Sequence, residues 1–314
     1  DLVGKVAVWK SELEQAVYNS NLLRLEFDDS VYSNYFMNYC FNSPSTIRNL
    51  RRIATGTTSV AAIYTKDLLK VKIPLPPLAE QKKIAEILGT WDEAIAHTTE
   101  LVAQLKARKK GLMQQLLTGS TRLPGFSGEW KEVRLGDYFT ERKETKTKNL
   151  PLLSIGRDGV YPQSEDKKDT SNSDKSKYKK ICKDDIGYNS MRMWQGRSAL
   201  SSIEGIVSPA YTIVTTLPIA DPLFFSYLFQ LEHVIHRFYR NSQGMVSDTW
   251  MCKFKDFSLV KVDVPPSADE QTAISEVLTT ADQEIQKQEE KLAQLQDTKR
   301  GLMQQLLTGE VRVN

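Results

Sequence analysis

Between positions 186 and 200 the chain reads IGYNSMRMWQGRSAL. This stretch carries Tyr188, Asn189, Arg192, Trp194, Gln195 and Arg197, and no acidic residue. Its side chains suit base recognition. An arginine can fork onto the O6 and N7 of guanine, and Asn or Gln can pair with the N6 and N7 of adenine. Gly187 and Gly196 would permit close backbone approach to such a ligand. Strand alternation would set Met191 and Met193 on one face and Arg192 and Trp194 on the other, which favours Arg192 as the base contact. The competing reading puts Met191, Met193 and Trp194 in a core and leaves Arg192 merely exposed.

Two further stretches carry compatible chemistry. Residues 141–183 hold 12 Lys or Arg against 7 Asp or Glu, and DKSKYKK (174–180) places Lys177, Lys179 and Lys180 around a tyrosine. Such a cluster suits phosphate contacts, which supply affinity without sequence information; a solvated loop is the alternative. YRNSQGMVSDT (239–249) is a polar, glycine-containing loop after the helix-like DPLFFSYLFQLEHVIHRF. It offers Arg240, Asn241, Ser242 and Gln243 to bases. RRIATGTTSVAA (51–62) offers Arg51, Arg52 and Thr55 in matching positions. A loop that merely caps a helix would look the same.

Catalysis finds little support. There is no Gly-rich methyl-donor loop beside an Asn/Asp-Pro-Pro-aromatic motif, and no G-x-x-x-x-G-K-[ST] phosphate loop. Asp137 followed by ERK (141–143), and EDK (165–167), imitate a nuclease's acid-x-Lys only loosely, as Lys- and Glu-rich sequence does by chance. His97, His233 and His236 form no ligand set. Cys40, Cys182 and Cys252 are odd in number and far apart, which argues against a disulfide framework and suits a reducing cytoplasm. No apolar run reaches ~18 residues, and no signal peptide is seen. A net charge of +3 over 314 residues decides nothing about nucleic acid.

The elements that would position these residues occur twice. KKGLMQQLLTG (109–119) returns 190 residues later as KRGLMQQLLTG (299–309), and 79–119 aligns without a gap to 269–309, with 22 of 41 positions identical. Upstream, IPLPPLAEQ (73–81) answers VDVPPSADEQ (262–271). A weaker match at an offset of 188 sets Tyr39 on Tyr227, Phe41 on Phe229, Ile47 on Ile235, Arg52 on Arg240 and Gly56 on Gly244. A period this long is a duplicated domain rather than a solenoid. Pro76-Pro77 and Pro265-Pro266 block helix before each copy, and Gly119 and Gly309 suit its end. Between them the apolar positions recur at spacings of four and three. In the first copy they are Ile84, Leu88, Trp91, Ile95, Val102, Leu105, Leu112 and Leu116. In the second they are Ile274, Leu278, Ala281, Ile285, Leu292, Leu295, Leu302 and Leu306. This is a coiled-coil seam, broken at Thr98 and Lys109 and at Gln288 and Lys299, where a polar residue can set register. Neither stripe can be buried alone, so the helices are expected to pair; the alternative is that each packs on its own globular part. About 40 residues of helix span ~60 Å, longer than the ~34 Å of one DNA turn.

The Pro-Pro-x-x-Glu-Gln opening, the GLMQQLLTG ending and RLPGFSGEWKEVRLGDYF (122–139) together resemble the specificity subunit of type I restriction-modification enzymes, over essentially the whole chain. The resemblance implies an α+β fold of two target recognition domains, each followed by a long helix, the two helices forming an antiparallel coiled coil with pseudo-two-fold symmetry. Each domain would read half of a bipartite site in double-stranded DNA, and the helices would fix the gap. Two modification (methyltransferase) subunits would dock along the helices and bring S-adenosylmethionine. Restriction/translocase subunits would bring ATP and Mg, and this chain would bind no cofactor and catalyse nothing. The expected divisions are 1–77 and 120–267 for the recognition domains and 78–119 and 268–314 for the helices. On the repeat alignment Asp1 falls near Ser190, so the first recognition domain is expected to be partial, without a counterpart of 120–190. A coiled-coil scaffold that binds only proteins is the rival reading; it would not need the arginine-bearing loops.

Overall fold

The structure is a computed structural model that describes residues 4–10, 13–19, 21–57, 60–147, 149–156, 159–163, 175–244 and 250–313. The chain divides into two compact units, 1–103 with 286–314, and 104–285.

In the first unit, two serines start two helices. The Ser33 hydroxyl accepts from the Phe36 amide and caps α1 (Asn34–Phe41). Ser43 does the same for α2 (Pro44–Ile53), where Pro44 contributes a preset φ at the first turn. A hairpin, Thr55–Thr57 with Val60–Ala62, follows. After Pro76-Pro77 the chain enters the long helix α3 (Leu78–Leu116). Phe36, Met37, Cys40, Phe41 and Leu50 pack with Ile84 and Leu88 of α3 and with Leu306 and Leu307 near the end of the last helix, α6 (Ala268–Thr308). Burial pushes the Cys40 thiol up to about 12.

The second unit is the α+β part. Strands β1 (Phe139–Glu141), β2 (Ile186–Asn189), β3 (Ser198–Leu200) and β4 (Tyr211–Thr216) form an antiparallel sheet in the order β1-β4-β2-β3. Helices α4 (Pro222–Leu228) and α5 (Glu232–Asn241) follow. The helix-like run read from sequence is thus two helices, broken around Phe229–Leu231. Leu231 is the extended residue from which α5 starts. Phe139, Tyr188, Phe225, Phe229, Phe238 and Phe257 make an aromatic core, which Leu116 of α3, Leu117 just beyond it, and Ile274 and Leu278 of α6 also enter. A smaller core of Leu153, Ile155, Ile181, Ala199, Val207 and Ile213 lies beside it.

Within each unit the start of one long helix meets the end of the other, and they run antiparallel. In the first unit Glu80 of α3 takes Arg312, which follows α6, while Asp92 takes Lys299. In the second, Glu270 of α6 takes Arg122, which follows α3, while Asp282 takes Lys109 at 2.5 Å. Seam positions Ile84, Leu88, Val102, Leu105, Leu116, Ile274, Leu278, Ile285 and Leu306 are buried. Trp91, Ile95, Leu112, Ala281, Leu292, Leu295 and Leu302 are half-buried. The four-three spacing therefore named the packed stripe, because only that periodicity keeps one face of a helix turned to its neighbour.

The Glu-Gln pair that opens each helix has a physical role. Gln81 Oε1 accepts from the Ser33 amide at 2.9 Å, and its Nε2 donates to the Val31 carbonyl at 3.0 Å. Gln271 Oε1 accepts from the Asp221 amide at 2.9 Å, and its Nε2 donates to the Ile219 carbonyl at 3.4 Å. Ser33 and Asp221 are the N-caps of α1 and α4. Each glutamine thus fastens a globular helix to the long helix behind it, and the neighbouring glutamate fastens the segment that follows the other long helix. Gly119 and Gly309 adopt φ of +71° and +78°. The amides of Thr121 and Val311 return to the carbonyls of Gln115 and Gln305 at 3.1 and 3.2 Å. That six-residue closure ends each helix on a left-handed residue, which glycine tolerates best.

Candidate nucleic-acid interface

The stretch 186–200 does not form one alternating strand. Strand β2 ends at Asn189, the chain turns, and Met193–Gln195 form one 3-10 turn before β3. Met193 is fully buried and Met191 is exposed, so the two methionines do not share a face. Asn189 Oδ1 accepts from the Met191 amide at 3.0 Å, which shapes the turn. Arg192 is half-exposed, and Gln195 and Arg197 are exposed. Their backbones meet: the Gln195 and Arg197 amides donate to the Arg192 carbonyl at 2.9 and 3.4 Å. A compact turn therefore presents Arg192, Gln195 and Arg197 together. Trp194 is half-buried and donates its indole N–H to the Met191 carbonyl at 3.0 Å.

Expectations for this stretch fail at Tyr188 and at the two glycines. Tyr188 is fully buried and stacks on Phe257 at 5.3 Å, so it has no surface to offer DNA. As a β2 residue facing inward it completes the aromatic core, and burial raises its phenol well above the usual range. Gly187 and Gly196 do admit close neighbours, but the neighbours are protein. A Cβ on Gly187 would meet Ile155 Cδ1 at 2.3 Å, and one on Gly196 would meet Ile235 Cδ1 at 2.6 Å. Gly196 also has a φ of +73°, which closes the 3-10 turn onto α5.

The lysine cluster splits. Lys177 is exposed in a turn. Lys179 is half-buried and donates to the Tyr211 carbonyl at 2.8 Å; burial pulls its ammonium below the ordinary lysine range. Lys180 pairs with Glu204 at 2.7 Å, which raises it. Both lie on the strand Lys179–Ile181, which pairs with Gly205–Val207, and so serve the sheet edge rather than open solvent. Asp174 of this cluster lies outside the described residues.

In the third stretch the helix runs further than expected. Arg240 and Asn241 belong to α5, whose last turn is followed by Ser242. Arg240 is exposed. Asn241 and Ser242 are half-exposed and donate to the carbonyls of Arg237 and Phe238, both at 2.8 Å. Gln243 is exposed and pairs by backbone with Met251. Residues 245–249 lie outside the described residues. In the first unit Arg51 and Arg52 are exposed in the last turn of α2, and Thr55 opens the hairpin. The bounds of α2 and α5 are equivalent at the repeat offset, so Arg52 and Arg240 hold matching places on matching helices.

Among the described residues no cluster of three or more His, Cys, Asp or Glu could hold a metal ion. At 141–143 Glu141 lies 3.7 Å from Lys143 and 3.9 Å from Lys179, while Arg142 forks onto Asp185 at 2.6 and 3.0 Å, and Asp185 also takes the Cys182 amide and the Thr215 hydroxyl. No helix is long and apolar enough to cross a membrane among these residues.

Comparison with known proteins fits this geometry. The type I restriction modification DNA specificity domain matches residues 2–107 and 127–297, one match for each globular part with the helix behind it. The chain is 25% identical over 329 residues to a protein named as the MjaX type I restriction enzyme specificity subunit of Methanocaldococcus jannaschii, covering 99% of this chain and 76% of that one. The MjaVIII specificity subunit of the same organism is 24% identical over 327 residues, 96% of this chain and 75% of its own. In fold, the chain is similar to the type I restriction-modification S subunit from M. genitalium, with a TM-score of 0.59 at 18% identity over 89% of this chain and 74% of the other. The twice-used helix with its Glu-Gln fastening and the family match across both halves carry one conclusion: this chain belongs to the type I restriction-modification DNA specificity family.

Proposed function

We propose that this chain reads DNA for a type I restriction-modification enzyme, each globular part recognising one half of a bipartite double-stranded site. The observation that carries this reading is a turn of the second unit that holds basic and polar side chains together on a fixed frame. In the second unit Arg192, Gln195 and Arg197 share one turn, and the structure gives their side chains no ion pair among the described residues. In the same unit Arg122, Arg142, Lys179, Lys180 and Arg237 are each committed to a protein partner.

The chain's part is non-catalytic. Two modification subunits dock along the long helices and bring S-adenosylmethionine, and restriction/translocase subunits supply ATP-driven cleavage. The paired helices act as the spacer between the half-sites, and the protein works in the cytoplasm. Neither donor nor nucleotide binds this chain. A gel shift with duplex DNA, titrated with salt, tests the core of the proposal. A DNA reader binds, weakens steeply as salt rises, and prefers some sequences over a random competitor. A protein-only scaffold shows no shift at any salt concentration.

A further inference from the structure

One feature of the second unit takes no part in the core and was not legible in the turn residues. Four rings run in a chain across its surface. His236 stacks on Tyr239 at 5.7 Å, and T-shaped contacts join Tyr239 to Trp250 at 4.7 Å and Trp250 to Trp194 at 5.5 Å. His236 and Tyr239 are exposed, Tyr239 to 41%, and both tryptophans are half-exposed. Rings in such contact normally sit inside. Here they lie in a row on one side of α5 and the 3-10 turn. The packing of Gly196 against Ile235 holds that turn against the helix.

The charges around the rings narrow the occupant. Arg192 and Arg197 flank Trp194 and Arg240 flanks Tyr239, and among the described residues none of the three side chains makes an ion pair. An apolar protein partner would be poorly served by a rim of unpaired arginines. A polyanion that also offers flat apolar edges would be well served. DNA does this in the major groove, where the thymine 5-methyl is the apolar mark on a base and arginine reads guanine or phosphate beside it.

Resting on the DNA-reading function above, we propose that His236, Tyr239, Trp250 and Trp194 form a base-contacting face. It meets thymine 5-methyl groups in the half-site read by the second unit, with Arg192, Arg197 and Arg240 placed on the neighbouring guanines and phosphates. The rings supply contact area at little conformational cost, because an aromatic side chain has few torsions to freeze.

The test uses the full chain. Preferred duplexes are selected from a random-sequence pool, then remade with uracil in place of thymine, which removes only the methyl group. Wild-type protein should lose about fourfold in affinity for each methyl it buries. The variants Tyr239→Ala and His236→Ala change exposed residues and should leave the thermal melting unchanged. They should bind the thymine duplex several-fold more weakly and respond less to uracil. Trp250→Phe should behave as wild type and Trp250→Ala as the other two. Indifference of the wild type to uracil overturns the proposal, as does unchanged binding by Tyr239→Ala, while DNA reading itself stands. A wild-type protein that selects no sequence at all overturns both.

Discussion

Arg192 and Lys177 differ in what surrounds them, and the difference predicts different losses. Arg192 sits in a tight turn beside Gln195 and Arg197, whereas Lys177 is exposed in an open turn. Arg192→Ala should weaken binding to the preferred site by roughly 1–3 kcal/mol and leave non-specific binding nearly unchanged. Lys177→Ala should weaken both alike and lower the salt slope by about one. Equal losses on both kinds of DNA for Arg192→Ala would remove its base-reading role. Lys179 is a different case. Sequence could not separate it from Lys177, because both lie in one basic run; only the strand pairing of 179–181 turns its ammonium toward the Tyr211 carbonyl. Lys179→Ala should therefore cost stability rather than DNA affinity, seen as a lower melting temperature with an unchanged salt slope. Tyr188 was unreadable for a similar reason: it stands next to polar neighbours in the chain, and its place against Phe257 is set by contacts far away in sequence.

At the scale of elements, the long helices were legible and their fastenings were not. A four-three stripe can be counted, so the buried faces of α3 and α6 could be named from sequence. The partners of Glu80 and Glu270 lie 232 and 148 positions away, beyond any local pattern. The two glutamates stand in different surroundings. Glu270 is 1% exposed and its Arg122 24%, while Glu80 is 9% exposed and its Arg312 63%. Removing Arg122 strands a buried carboxylate, so Arg122→Ala should cost about 3 kcal/mol in urea unfolding; Arg312→Ala should cost clearly less, because water can replace the guanidinium. The hydrogen bond from Arg312 holds the Glu80 carboxyl below its usual range. A depressed carboxylate stabilises the fold above its unfolded pKa, so this contribution is complete above about pH 4.5 and is lost as the pH falls further. Glu80→Gln should flatten that part of the acid-unfolding curve; an identical curve would contradict the assignment.

The seam lysines act at the same scale. Lys109 lies 5.0 Å above the Tyr227 ring and pairs with Asp282, whose carboxylate also takes the Tyr227 hydroxyl at 2.7 Å. Lys299, Tyr39 and Asp92 repeat the arrangement in the first unit. A lone lysine in an apolar seam costs stability and fixes register. In the double variant Lys109→Leu with Lys299→Leu the carboxylates left behind, Asp282 and Asp92, are 42% and 48% exposed, so water can replace each ammonium; each site should lose at most about 1 kcal/mol, yet the protein should give several species in sedimentation. A large loss of stability with one sharp species would show that the lysines hold the helices together rather than align them.

For the whole molecule, duplication was the clearest signal, because a gapless 41-residue match survives any uncertainty about secondary structure. The sheet order of the second unit was invisible, since β4 pairs with both β1 and β2 across long stretches of sequence. The left-handed Gly119 ends α3, so residues added after it would not lengthen the helix. Seven residues, two turns, inserted after both Glu100 and Glu290 would keep the stripe in phase and lengthen each helix by ~10 Å. The gap in the recognised site should then grow by about three base pairs.

The central claim, that two units read two halves of one site, is tested most directly by methylation sequencing of cells that express the complete enzyme with this chain or its Arg192→Ala variant. The account predicts two short motifs separated by a gap of fixed length, with relaxed specificity in one motif only for the variant. A single uninterrupted motif, or a variant that alters both halves equally, would contradict it.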